Sequence, residues 1–242
     1  MDLGSSVAGA GLRGSTVLVP LGAVEQHGPH LPLRTDGLVA RAVCDGVAAT
    51  LAGSDPSVVV APLVEYGASG EHEDFPGTVS IGTEALAHLV VELVRSARRW
   101  CGRVVLVSGH GGNAEALATA AGRLRAEGHD VAWTTCAEAG WDAHAGHAET
   151  SLALALAPAL VSADAMVAGP CGPVADLLPR LRSGGVAAVS ASGVLGDPLG
   201  ASAAQGRAHL DALVTRVAHQ VRHAAAGPDG LLLRPAPGEV PA

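Results

Sequence analysis

The chain has 242 residues, enough for one domain with a sizeable core, and its 48% hydrophobic content includes only 2% aromatics, so Ala, Val and Leu have to fill that core. Lys and Arg number 15 against 23 Asp and Glu, a net charge of -8 without a basic run, which is the reverse of what a nucleic-acid partner requires. The cysteines Cys44, Cys101, Cys136 and Cys171 stand far apart with no CxxC pair, which argues against a disulfide framework or a thiolate zinc site and predicts reduced core thiols.

Met1 to Gly14 is small and polar, without the basic-then-apolar layout of an export signal, so a cytoplasmic protein is expected. The first strand candidate, Thr16 to Leu21, runs directly into Glu25, His27, His30 and Asp36, which places potential ligands in one turn region beyond a strand's carboxyl end. A polar loop with histidines bonded to backbone is the plainer reading of that segment taken alone. A helix is expected from about Gly37 to Leu51, then a strand from Ser57 to Val64. Tyr66, Ser69 and the turn Phe75 to Thr78 follow, and they suit either a cleft wall or a subunit contact.

Glu84 to Cys101 places Leu86, Leu89, Val90, Leu93, Val94 and Ala97 on one stripe, the pattern of an amphipathic helix. The strand Arg103 to Ser108 ends at His110 in a glycine-rich turn, and a helix from Asn113 to Glu127 is expected, capped by Asn113 and stopped at Gly128. That turn also resembles a phosphate nest, but there is no Walker lysine and no GxGxxG spacing. A further strand, Asp130 to Thr135, leads to Asp142, His144, His147 and Glu149, of which His147 reads as a surface residue.

Leu152 to Val161 is the longest apolar stretch and falls well short of the ~20 residues of a membrane span, so no membrane partner is expected. Gly185 to Val189 reads as a last strand and Ala201 to Ala226 as a long terminal helix. From Gly227 the prolines 228, 235, 237 and 241 predict a loosely packed tail, 227–242, behind a domain of 1–226. Strands alternating with helices predict a single α/β domain with a mostly parallel sheet. Three strand ends then offer carboxylates and imidazoles without cysteine, the donor set of an open, catalytic metal site; a pair of cations needs a bridging carboxylate, for which Asp36 is the candidate.

The segments EQHGPHLPLRTD, EYGASGEHEDFPGTVS, SGHGGN and HAGHAETS occur in this order and resemble the signature segments of the creatininase amidohydrolase family. The resemblance implies a three-layer α/β/α fold, a homo-oligomer, and two divalent metal ions per subunit, Zn²⁺ or Fe²⁺ with Mn²⁺ as a further candidate. It also implies that Glu25 and His110 hold one ion, His27 and Glu149 the other, with Asp36 between them and His144 transferring protons. Members that open creatinine carry a glutamate where this chain has Gly112, so creatinine is a poor substrate guess and Glu149 becomes the replacement ligand. ADLLPRLRSGGVAAVSASGVLGDPLGAS is similar to the creatininase homologues of the mycofactocin system, with Ser108 and Ala191-Ser192 as departures. That similarity implies a peptidase whose partner is a modified precursor peptide and which releases a C-terminal valine-tyrosine dipeptide. The alternatives are a hydrolase of a cyclic amide or formamide, and a non-enzymatic metal- or nucleotide-binding module.

Overall fold

A computed structural model of the chain describes residues 1–9, 11–54, 57–172 and 174–234. β1 (Thr16–Leu21) is buried along its whole length, as a strand between two helical layers must be. β2 (Val58–Val60), β3 (Arg103–Ser108) and β4 (Val131–Thr135) join it in a four-stranded sheet of order β2-β1-β3-β4, every pairing parallel. Thr16 stands opposite Val58 on one side and Arg103 on the other, which fixes which residues face each layer.

Alternation does the rest. Val17, Val19 and Leu21 with Val104 and Leu106 pack against Leu86, Val90 and Val94 of α2 (Thr83–Ala97) and Leu117 and Leu124 of α3 (Ala114–Ala126). Leu18, Val105 and Val107 face the opposite layer: Val39, Val43 and Val47 of α1 (Thr35–Thr50), Leu152 of α4 (His147–Leu156), and Leu213 and Val217 of α6 (Ala203–His223). Each fully buried leucine contributes about 1.5–3 kcal/mol relative to exposure, so a core nearly without rings still binds the layers. The expected α/β/α sandwich with a parallel sheet is what forms. The chain leaves β1 toward β2 on one side and reaches β3 and β4 on the other, so the strand order reverses between β1 and β3. Their carboxyl ends open the crevice where such folds bind ligands.

Several expectations need correction. The strand foreseen at 57–64 is regular only over Val58–Val60; Pro62 has no N–H to pair, and the segment rejoins β1 through a bridge from Val64 to Leu21. Gly185 to Val189 is a turn, because the Val186 amide donates to the Glu71 carbonyl at 2.8 Å instead of entering the sheet. On α2, Leu89 is 37% exposed and Val91 is buried in its place, a small rotation of the apolar stripe. α4 and α5 (Val174–Gly184) were not foreseen as separate helices. Cys171 is exposed, unlike the other cysteines.

Asn113 stands at the N-cap position of α3, but its side chain makes no capping bond. Its buried amide donates to the Gly22 carbonyl at 3.1 Å and the Ser108 hydroxyl at 3.2 Å, and accepts from the Ala68 N–H at 2.9 Å. It thereby ties together the loops after β1, β2 and β3. The segment after Ala226 is not loose either: Leu231 bridges Trp133 of β4, Leu232 is buried, and the Gln220 amide donates to the Leu232 carbonyl at 3.2 Å. The remainder of the expected tail, 235–242, lies outside the described residues. At the other side of the sheet Met1 and Leu3 bond the backbone of Val60. No helix among the described residues is long and apolar enough to cross a membrane.

Candidate metal centre

Each strand's carboxyl end delivers part of one cluster. The loop after β1 carries Glu25 and His27, both 0% exposed. It returns to start α1, whose first turn holds Asp36, where the helix N-terminus favours a carboxylate. The loop after β3 approaches that turn so closely that a Cβ on Gly109 would overlap the Asp36 carbonyl oxygen, which explains the glycine before His110. After β4, the Asp142 carboxylate accepts the His147 N–H and begins α4, and Glu149 in its first turn accepts the Ala145 N–H at 2.6 Å. Ala145 adopts a left-handed φ of 51°, a strained placement that sets His144 and Glu149 toward the crevice.

The structure brings Glu25, His27, Asp36, His110, His144 and Glu149 together. His27 Nε2 lies 3.1 Å from Asp36 Oδ1 and 3.8 Å from Glu149 Oε2. His110 Nδ1 lies 3.1 Å from Glu25 Oε2 and 3.6 Å from Asp36 Oδ2. His144 Nδ1 is 3.7 Å from Glu25 Oε1. Asp36 therefore turns one oxygen to each half of the cluster. His30 is elsewhere, its Nε2 2.9 Å from the Thr150 hydroxyl, and His147 stays outside. Ser69 is buried and Tyr66 exposed, while Thr78 Oγ1 accepts the Gln26 N–H at 3.0 Å and so braces the loop after β1.

Glu71 and His72, which sequence reasoning passed over, also belong here. They sit on a short 3-10 turn, Gly70–His72, with Glu71 Oε1 3.4 Å from His110 Nε2 and His72 Nε2 3.4 Å from Glu25 Oε1. The signal was present in the GEH triplet following β2, but it lies ten residues past that strand's regular end and reads as an ordinary polar loop. A side chain at position 112 would start 2.5 Å from Glu71 Oε1, so Glu71 occupies the direction in which a residue larger than Gly112 would point.

His27 Nδ1 donates to the Glu25 carbonyl at 3.2 Å, His110 Nε2 to the Ala68 carbonyl at 3.2 Å, and His144 Nε2 to the Gln26 carbonyl at 2.8 Å. A carbonyl only accepts, so each anchoring nitrogen holds the proton and the opposite nitrogen aims into the cluster. This is how proteins orient imidazole ligands. Both Glu25 oxygens and Asp36 Oδ2 are buried without a hydrogen-bond partner, and His27, His144 and Glu149, like Glu25, His27 and Asp36, bring potential ligand atoms within 4.8 Å of one another. Buried, unbonded carboxylate oxygens are costly unless a cation compensates them, so these donors fit metal ions.

The protonation pattern follows. Burial pushes Glu25 up to about 7 against the pull of His110. Burial acts to deprotonate His27, but the Asp36 carboxylate outweighs it and raises the group to about 10. Asp36 is driven up by burial and held below its usual range by His27. Burial raises Glu149, and it lowers His144 well below the usual range with help from His27 and His72.

A family model described as creatinine amidohydrolase matches residues 5–221. The chain belongs to the creatininase family. It is 54% identical over 217 residues, 89% of this chain and 88% of the relative, to the mycofactocin precursor peptide peptidase of Mycolicibacterium smegmatis (strain ATCC 700084 / mc(2)155). With the peptidase of the same name from Mycobacterium ulcerans (strain Agy99) it shares 51% over 221 residues, 90% and 88% of the two chains. A solved creatininase structure described as "Creatininase Mn" superposes with a TM-score of 0.75 at 29% identity, covering 91% of this chain and 97% of that one. This creatininase-family member is accordingly an amidohydrolase by fold, and its crevice, about 490 Å³ in volume, is lined by Asp36, His110, His144 and Glu149 with Leu181, Val186 and Leu195 as an apolar wall.

Proposed function

We propose that this creatininase-family hydrolase is a binuclear metal-dependent peptidase that cleaves the modified mycofactocin precursor peptide and releases its C-terminal Val-Tyr dipeptide. The observation that carries the reading is the convergence of three backbone-anchored imidazoles on the buried carboxylates of Glu25 and Asp36, of which both Glu25 oxygens and Asp36 Oδ2 lack a hydrogen-bond partner. The names of relatives sharing 51–54% of its residues support the substrate. Glu25 and His110 would hold one cation and His27 and Glu149 the other, with Asp36 shared, an assignment its two oppositely directed oxygens support.

Divalent cations in such a site, zinc, iron(II) or manganese by donor type, supply Lewis acidity to the scissile carbonyl and make an attacking water more acidic. His144 presents an unprotonated Nδ1 to the cluster, accepts the proton of the attacking water and returns it to the departing amine. Leu181, Val186 and Leu195 form a wall that excludes water and receives an apolar side chain such as the valine of the leaving dipeptide. The enzyme would act in the cytoplasm as a homo-oligomer.

Purified protein should carry two transition-metal equivalents and liberate valine-tyrosine from the decarboxylated, crosslinked precursor. Chelator should abolish release, and Asp36→Ala should abolish both metal retention and release. An intact peptide after metal reconstitution, with turnover of creatinine or of a formamide instead, would overturn the substrate assignment.

A further inference from the structure

One imidazole in the cluster is anchored in the opposite sense. His72 Nδ1 meets no carbonyl; it lies 2.8 Å from the Gln26 side-chain Nε2. That amide is held at both ends, its Oε1 accepting the Gly28 N–H at 2.9 Å and its Nε2 donating to the Gly193 carbonyl at 3.1 Å. The enclosure is tight, because a Cβ on Gly193, itself at a φ of +81°, would overlap the amide. Reversing the amide would set its oxygen against a carbonyl and its NH₂ against an N–H, so the group facing His72 is a donor. His72 Nδ1 must accept, and its proton resides on Nε2, 3.4 Å from Glu25 Oε1.

Resting on the metal-centre reading above, we infer that His72 is a fixed N–H donor and not a metal ligand, and that Gln26 is the positioning residue that makes it so. Through its backbone carbonyl Gln26 turns the lone pair of His144 into the centre; through its side chain it turns the N–H of His72 there. His72 then turns its N–H toward the Oε1 side of Glu25, at 3.4 Å, while His110 stands on the Oε2 side, at 3.1 Å. Adjacent imidazoles whose ring centroids are 4.5 Å apart thus take opposite roles, one presenting a bare nitrogen to the centre and one presenting an N–H.

The tautomer is directly observable. Two-bond ¹H–¹⁵N correlation spectra of histidine-labelled protein, metal-free and zinc-loaded, with His72 assigned by its absence in His72→Gln, should show a protonated Nε2 and a bare Nδ1 in both states. His72→Ala should keep the full zinc complement while peptide cleavage falls about 10–100-fold, as for partners that orient metal ligands, and His72→Gln, which retains an N–H donor, should recover part of the loss. Gln26→Glu, which presents an acceptor, should move the His72 proton to Nδ1. A zinc-shifted Nε2 with a protonated Nδ1, or loss of one zinc equivalent in His72→Ala, would overturn the inference. Should the unmutated protein take up no zinc, the metal-centre reading fails, and the metal-free spectrum still decides the tautomer.

Discussion

His27 is fully enclosed, and enclosure alone would strip its proton, yet Asp36 at 3.1 Å and Glu149 at 3.8 Å hold the ring protonated up to about 10. Because that value lies above the ordinary histidine value near 6.5, the pair stabilises the metal-free fold fully below about pH 6.5 and progressively less as pH rises through about 10. A cation at Nε2 must displace this proton, so metal uptake and proton release are linked. Calorimetric zinc titrations near neutral pH in buffers of different ionisation enthalpy should therefore report proton release, which Asp36→Asn should diminish; uptake without release would contradict the ion pair. At this scale the sequence was informative wherever a candidate ligand follows its strand directly, as Glu25, His27 and His110 do. For His72 it offered only the GEH triplet, because the residue's place depends on a 3-10 turn and on an amide contributed by Gln26, neither of which leaves a periodic trace.

Among the elements, the connection that matters most for the centre is the Asn113 side chain, since it joins the loops that carry Glu25, His72 and His110. Removing it strands the Ala68 N–H and the Gly22 carbonyl in a buried setting, which costs about 1–3 kcal/mol for each group left unsatisfied. Asn113→Ala should accordingly lower the urea midpoint and weaken metal retention together, whereas a residue acting only as a helix cap would change stability alone. The same residue marks a limit of sequence reading. Asparagine just ahead of an apolar periodic run is the ordinary signature of a helix start, and only the crossing of three loops redirects its amide. β1 and β3 were legible to the residue because a strand buried on both faces reads as an unbroken apolar run, while Pro62 shortened β2 and the Glu71 carbonyl drew Val186 away from the sheet.

For the molecule as a whole, the helical layers meet a sheet whose central side chains are aliphatic, so stability depends on close fit more than on any single large group. Leu106, wholly buried in β3 between β1 and β4, is the sharpest probe: Leu106→Ala should cost about 2–5 kcal/mol in equilibrium unfolding. A loss under ~1 kcal/mol would mean that the layer collapses around the gap. The pairing of Val60 with residues 1–3 and of Trp133 with residues 230–232 has a consequence of its own. An open parallel sheet ordinarily presents two bare backbone rims, each a template onto which a foreign strand can add. Here short stretches of the same polypeptide already bond each rim, at Val60 and at Trp133, so a foreign strand would have to displace them before it could add at those positions.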